Sequence, residues 1–397
     1  MSISNTIELM LQNGINISGY DNITAANALL NSSTLITAIK NTILSKLNQI
    51  NLNFLGVCYS AKDILAGINI ELPKSISLLD ALTGQISGVI MSYYGVQINT
   101  SSNPSFTIFG FSTTTKQNIL NSIVSTSNNE NLSRSDLILT KLAGLLKQTI
   151  AINNYSNVTA VDVLNDSSSL TISILNAIES EISSTSFIIG DINYTTNEIL
   201  NDLTITLPKS ISLSDALNGE ISDVQISFNT NVISLSNNET NSFVISGFEA
   251  ASATNIGNSI VLNSNGTTSS INQEIANILD NLLNQNINVS TYDSFNTITA
   301  ADALDNSAKL NSAIINAIEA EISSPIIVAK VSYTASEIAN NITVTLPSTI
   351  SLIDYENSQI PNVSLNYAGI LLSNSANKST FTITGFEQLN SLSSENE

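Results

Sequence analysis

The chain has 397 residues, 42% of them hydrophobic, which is material for several buried cores and excludes a disordered polymer. Only 11% are charged, and 32 acidic against 12 basic residues leave a net charge of -20 that opposes binding to nucleic-acid phosphates or docking on anionic lipid. There is no His and no Trp, and Cys58 and Arg134 are the only residues of their kinds, so the groups that do most enzyme chemistry are nearly missing while neutral Asn, Ser and Thr fill the polar remainder.

The N-terminal run Met1-Ser-Ile-Ser-Asn-Thr-Ile-Glu has neither a basic region nor an apolar one of signal-peptide type. Cytoplasmic residence, a leader already removed and export by another route all remain open. No apolar run approaches the ~20 residues of a membrane helix, so no membrane insertion is expected. One Cys excludes an intrachain disulfide. Sequons such as those at Asn22, Asn157 and Asn288 follow from composition alone in a chain where about one residue in seven is Asn.

Self-comparison shows three copies of one unit with a period of about 135 to 140 residues. Ile23-Thr-Ala-Ala-Asn-Ala-Leu29 returns as Val158-Thr-Ala-Val-Asp-Val-Leu164 and Ile298-Thr-Ala-Ala-Asp-Ala-Leu304. Leu72-Pro-Lys-Ser-Ile-Ser-Leu-Leu-Asp-Ala-Leu82 returns as Leu207-Pro-Lys-Ser-Ile-Ser-Leu-Ser-Asp-Ala-Leu217 and, with drift, as Leu346-Pro-Ser-Thr-Ile-Ser-Leu-Ile-Asp-Tyr-Glu356. Ser105-Phe-Thr-Ile-Phe-Gly-Phe111, Ser242-Phe-Val-Ile-Ser-Gly-Phe248 and Thr380-Phe-Thr-Ile-Thr-Gly-Phe386 close the copies. The period is too long for a solenoid repeat and predicts three tandem homologous domains, residues 1–128, 129–267 and 268–397. The boundaries fall in Ser125-Thr-Ser-Asn-Asn-Glu-Asn131 and Asn263-Ser-Asn-Gly-Thr-Thr-Ser269.

Along each copy, Ser/Thr-x-x-acid pairs announce helix starts. Thr159 with Asp162 and Thr299 with Asp302 open a long helix, with Asn27 in the acid's place in the first copy; Leu304, Leu310, Ile314, Ile315, Ile318 and Ile322 mark its apolar face. Ser60 with Asp63, Thr195 with Glu198 and Thr334 with Glu337 open a short helix just after Tyr59, Tyr194 and Tyr333. Strands at Leu203-Thr-Ile-Thr-Leu207 and Ile342-Thr-Val-Thr-Leu346 stop at a Pro. Ser77 with Asp80, Ser212 with Asp215 and Ser351 with Asp354 open a third helix. Asp223-Val-Gln-Ile-Ser-Phe228, Asn231-Val-Ile-Ser-Leu235 and the Gly-Phe run then read as a meander. Each copy is expected to be α+β, with N-terminal helices followed by an antiparallel sheet of about four or five strands. The recurring Asn118-Ile-Leu-Asn-Ser-Ile-Val124 and Asn255-Ile-Gly-Asn-Ser-Ile-Val261 read as extra strands bridging copies.

Candidate sites are sparse. Asp80, Asp215 and Asp354 recur, and helix capping accounts for them. Asp302, Asp305 and Asn306, with Asp162, Asn165 and Asp166, could offer oxygen ligands to a hard cation, but the first copy has Asn27 and Asn31 there and no loop shows calcium-loop spacing, so no metal is expected. Cys58 aligns with Asn193 and Ser332, polar positions in a strand, and a nucleophile would lack a base in a chain without His. Tyr59, Tyr194 and Tyr333 read either as binding hot spots or as core residues with hydroxyls at the rim. No catalytic grouping and no cofactor are expected, so the chain reads as non-enzymatic. Tandem domains multiply reach or valency. With few charges to oppose association, the favoured expectation is a structural protein that assembles with itself into a filament, surface or lattice structure. The alternative is an adhesin-like multivalent module for a host glycan or protein.

The run Ile298-Thr-Ala-Ala-Asp-Ala-Leu-Asp-Asn-Ser-Ala-Lys-Leu-Asn-Ser-Ala-Ile-Ile-Asn-Ala-Ile-Glu-Ala-Glu-Ile322, followed by β-rich sequence, is similar to the helix-then-strands repeat of spiralin-like surface lipoproteins of wall-less bacteria, the mollicutes. The scarcity of Met and abundance of Asn and Ile fit AT-rich genomes. This resemblance implies a surface-exposed, non-enzymatic protein of the bacterial envelope, at the cell surface or outside it. The chain departs from that family in showing no lipid-accepting Cys at its start.

Overall fold

The computed structural model describes every residue except 1, 100–103, 127, 236–240, 263–265 and 389–397. The protein is mixed α and β, with several small sheets set among its helices. It divides into two compact units: residues 1–148, 175–206 and 225–242, and residues 149–174, 207–224 and 243–397. The middle sequence copy thus contributes to both.

In the first unit the helix Ile3–Leu11 starts at Ser2, whose hydroxyl accepts from the Asn5 amide. A five-stranded sheet follows, with Ile15–Asn16, Phe106–Phe109, Gln85–Tyr93 and Ile68–Glu71 side by side and Val96–Ile98 also on Gln85–Tyr93. Along Ile68–Glu71, Ile68 and Ile70 are buried while Asn69 and Glu71 face solvent, the alternation expected of a sheet covered on one face. The cover is the helix Ser32–Leu47, whose Leu35, Ile39, Ile43 and Leu47 recur every four residues and are fully buried. Each such side chain contributes about 1.5–3 kcal/mol by leaving water. From the middle copy this unit holds Leu203–Thr206, which pairs antiparallel with residues 225–228 of the strand Glu220–Phe228.

The second unit repeats the pattern with Asn286–Asn288, Phe381–Thr384, Gln359–Tyr367 and Ile342–Thr345, and with Ile370–Leu371 on Gln359–Tyr367. Leu310, Ala313, Ile314, Ala317 and Ile318 are the buried face of its helix Ser307–Glu321. From the middle copy it holds Thr149–Ala151, Phe243–Ser246 and the N-terminal part of Glu220–Phe228.

The sheets differ from the antiparallel expectation, because the outermost strand of each runs parallel to its neighbour: Ile15 pairs with Ile108, Ile150 with Ile245 and Ile287 with Ile383. The Gly of the closing Gly-Phe run makes this approach possible. Gly110 and Gly247 have φ of 105° and 112°, and a Cβ at either would overlap the carbonyl oxygen of Ile17 or Ile152 on the parallel strand's continuation. The expected meander is also bent. The register slips between Ile86 and Val89, Ile221 and Val224, and Ile360 and Val363, and one residue at each slip has positive φ: Gly88, Asp223 and Asn362, residue types that tolerate it.

The long helix is two helices in every copy. Ala25–Leu30 and Ser32–Leu47, Ala160–Asn165 and Ser167–Ile182, and Ala300–Asp305 and Ser307–Glu321 are separated by Asn31, Asp166 and Asn306, whose φ/ψ lie near -100°/+50 to +70°. These short polar side chains favour starting a helix over continuing one. Asp166 shows the competition directly, since its carboxylate accepts from the Ser169 amide and hydroxyl and from the Ser168 hydroxyl. There are also more helices than the three starts predicted per copy: Ile3–Leu11, Arg134–Leu145 and Ile271–Leu282 open the copies, and Lys116–Asn121 and Ala253–Asn258 precede the boundaries. Residues 118–124 and 255–261, predicted as strands, are therefore part helix and part strand. At the predicted boundaries, residues 127 and 263–265 lie outside the described residues. Their flanks form antiparallel hairpins, Ile123–Ser125 with Asn131–Ser133 and Ile260–Leu262 with Thr268–Ser270.

Candidate functional site

The repeated features converge on the places where one sequence copy meets the next. In the second copy Phe187–Ile189 and Ile192–Tyr194 form a hairpin, matched by Ile326–Val328 with Val331–Tyr333 in the third and Asn53–Phe54 with Val57–Cys58 in the first. Immediately after each lies a reciprocal capping box. The Ser60 hydroxyl accepts from the Asp63 amide at 3.1 Å and the Asp63 carboxylate accepts from the Ser60 amide at 3.0 Å, and Thr195 with Glu198 and Thr334 with Glu337 do the same. The Ser60 hydroxyl, which also donates to the Asp63 carboxylate at 2.5 Å, and then the Ser60 amide hold the Asp63 carboxyl below its usual range.

Among the described residues, two of the three hairpins receive a strand from the preceding copy. Within the first unit, Ile76–Ser77 lies parallel to Ile192–Tyr194, with Ile76 opposite Ile192, Ser77 opposite Asn193 and the Ile76 amide donating to the Asp191 carbonyl at 2.8 Å. Within the second unit, Ile211–Ser212 adds to Val331–Tyr333 in the same register, and the Ile211 amide donates to the Lys330 carbonyl at 2.9 Å. Ile76, Ile192, Ile211 and Val331 are buried by the contact. We call these pairings the first and second joints.

Tyr194 and Tyr333 sit inside the joints, not with their hydroxyls at a rim: they are 3% and 5% exposed and neither hydroxyl has a hydrogen-bond partner among the described residues. Burial raises the Tyr194 phenol to about 12 and the Tyr333 phenol further. Tyr59, on the hairpin that receives no strand, is exposed, and Cys58 beside it is a free, exposed thiol. The Asp80, Asp215 and Asp354 amides donate to the capping hydroxyls of Ser77, Ser212 and Ser351, as expected, but the carboxylates bind the next strand. Asp80 accepts from Gln85 at 2.7 Å and Ser87 at 3.0 Å, Asp215 from Ser222 at 2.8 Å and Asp354 from Gln359 at 3.0 Å. The Asp162 and Asp302 carboxylates accept from the Thr159 and Thr299 hydroxyls at 2.8 Å. Among the described residues no group of three His, Cys, Asp or Glu side chains gathers as a metal site.

Sequence reasoning missed what distinguishes the joints. In the first, Arg134 at the start of Arg134–Leu145 is buried, donates through Nε to the Ile189 carbonyl at 3.3 Å and through Nη1 to the Ser122 hydroxyl. Burial pulls its guanidinium down from the usual range, while Tyr194 and Asp191 oppose that shift. Lys116 adds an ion pair with Asp202 at 2.6 Å. The cavity left beside Arg134 is only about 70 Å³. In the second joint Ile271 occupies the position of Arg134 and Lys330 that of Asp191, the Lys330 ammonium donates to the Leu164 carbonyl at 2.8 Å, and a cavity of about 490 Å³ remains. Its wall includes Val161, Ile256, Ile271 and Val331, with Asp162 and Asn165 among the polar groups. The placement of the chain's one Arg directly after a boundary was the available signal.

No helix among the described residues is long and apolar enough to cross a membrane. Comparison with family models, with curated proteins and with solved structures gives no match to this chain.

Proposed function

We propose that the chain is a non-enzymatic structural protein built of three tandem homologous α+β domains, residues 1–128, 129–267 and 268–397, and that it assembles with itself into a filament, surface or lattice structure at the cell surface or outside the cell. The observation that carries this reading is the repeated joint, in which a two-residue strand of one copy adds in parallel to the hairpin of the next, in one register both times. Backbone pairing of this kind needs no particular side-chain chemistry and can be repeated along an array. Low charge density supports it, because few like charges oppose contact between neighbouring surfaces. The spiralin-like resemblance of residues 298–322 is the ground for the surface assignment.

Light scattering after size exclusion across a hundredfold concentration range, with negative-stain microscopy of the same fractions, tests the reading. Concentration-dependent polymers are expected, and a monodisperse monomer throughout would overturn it. One observation favours the second reading, an adhesin-like module for a host glycan or protein: the roughly 490 Å³ cavity of the second joint has the size of a small-ligand site and is lined by apolar side chains together with polar ones such as Asp162, Asn165 and Glu249. A glycan array probed with the intact chain separates the two.

A further inference from the structure

We propose that polymers form head to tail by making a third joint between two chains: the hairpin at Asn53–Cys58 of one copy receives residues 350–351 of a second copy. The inference rests on the self-assembly reading and names the interface. Each internal joint consumes an Ile-Ser dipeptide from one copy and a hairpin from the next, and among the described residues one of each is without such a partner. Among the described residues Val57–Cys58 pairs with Asn53–Phe54 and with no other strand, and Val57, at the position of the buried Ile192 and Val331, is 53% exposed. Ile350-Ser351 repeats the dipeptides Ile76-Ser77 and Ile211-Ser212 but belongs to no strand. Directly after it Leu352 is 70% exposed, although its counterpart Leu78 is buried at the first joint.

The two leftover surfaces differ from each other, so their union is heterologous and propagates instead of closing into a two-fold dimer. One departure also fits. Ala81 and Ala216 line the cavities of the two internal joints, and Tyr355 stands at their position in the third copy. An incoming chain would present Ile3 where the first joint has Arg134, and the larger Tyr355 side chain takes up space that a small residue would leave empty.

The register gives a direct test. Ser77 faces Asn193 and Ser212 faces Ser332, so Ser351 is expected to face Cys58, the chain's sole thiol. Neighbouring strands bring such partners to about 5 Å, within disulfide range. Mild oxidation of S351C should give a ladder of covalent oligomers, with peptide mapping placing the bond between Cys58 and position 351. T343C, exposed on another strand, should give no ladder, and V57D in the S351C background should abolish it without unfolding the chain, since Val57 is exposed already. A T343C ladder equal to that of S351C, or a fast-migrating S351C monomer cross-linked within itself, would overturn the proposal. Wild-type polymers by scattering with no bond between 58 and 351 would overturn this interface and leave self-assembly standing. Monomer by scattering and no ladder would overturn both.

Discussion

Replacing Tyr194 by Phe removes one oxygen atom from the first joint, and the structure fixes both the sign and the size of the effect. At neutral pH the hydroxyl is buried without a partner, a situation that costs about 1–3 kcal/mol, so Tyr194→Phe should raise stability by about 1 kcal/mol once the loss of packing atoms is allowed for. At alkaline pH the effect grows. Above pH 10 the unfolded phenol loses its proton while the folded one keeps it to about pH 12, so the unfolded state binds fewer protons and wild-type stability falls as pH rises. The contribution is complete below pH 10 and declines by about 1.4 kcal/mol per pH unit, about 3 kcal/mol across the window. Urea denaturation of wild type and variant between pH 7 and 11.5 checks this: the gap of about 1 kcal/mol should stay constant up to pH 10 and widen above it. A variant less stable at pH 7, or one whose alkaline decline parallels wild type, would refute the account of a dry, unpaired hydroxyl.

Gly247→Ala should lower stability by about 3 kcal/mol or more in urea, because φ of 112° and the Ile152 carbonyl leave no room for a Cβ. Ile271→Arg should cost about 2 kcal/mol by placing a second cation near Lys330, and adding Lys330→Asp, which recreates the combination of charges found in the first joint, should recover at least half of that loss in a double-mutant cycle. Asp63→Asn should speed amide exchange in Ala61–Ala66 at pH 7. Because the folded carboxyl titrates below 3.8, wild type should keep its protection as pH falls to that value and lose it below, where the two proteins converge.

Local chemistry was legible in the sequence, and partnership was not. The boxes at Ser60, Thr195 and Thr334 follow from residues three apart and formed as read. The opening helices carried the same signal, Ser133-x-x-Asp136 among them, and were there to be found. By contrast Ile15–Asn16 has two residues and no periodicity to detect; its place beside Phe106–Phe109 depends on a glycine some ninety-five residues downstream, Gly110, letting two backbones approach. The same limit hid the joints. Ile76-Ser77 reads as the entry to a helix, which it is, and nothing local says that its backbone also extends another copy's hairpin. Arg134 and Asp191 lie 57 positions apart (191 minus 134), so their shared neighbourhood appears only in three dimensions.

The exchange of charges between the joints bears on how a polypeptide containing near-copies of itself folds in the right order. During synthesis Ile76–Ser77 and Arg134 of the first joint are complete before either later hairpin emerges, and both hairpins have the shape to pair there. If residues 326–333 arrived in place of residues 187–194, Lys330 would take the position of Asp191 beside the buried Arg134, and two cations would share a space with little water to screen them. The proper hairpin brings a carboxylate there instead. Divergence at these two positions is thus expected to act as an address, sorting each hairpin to its own neighbour while the backbone register of the two joints is the same.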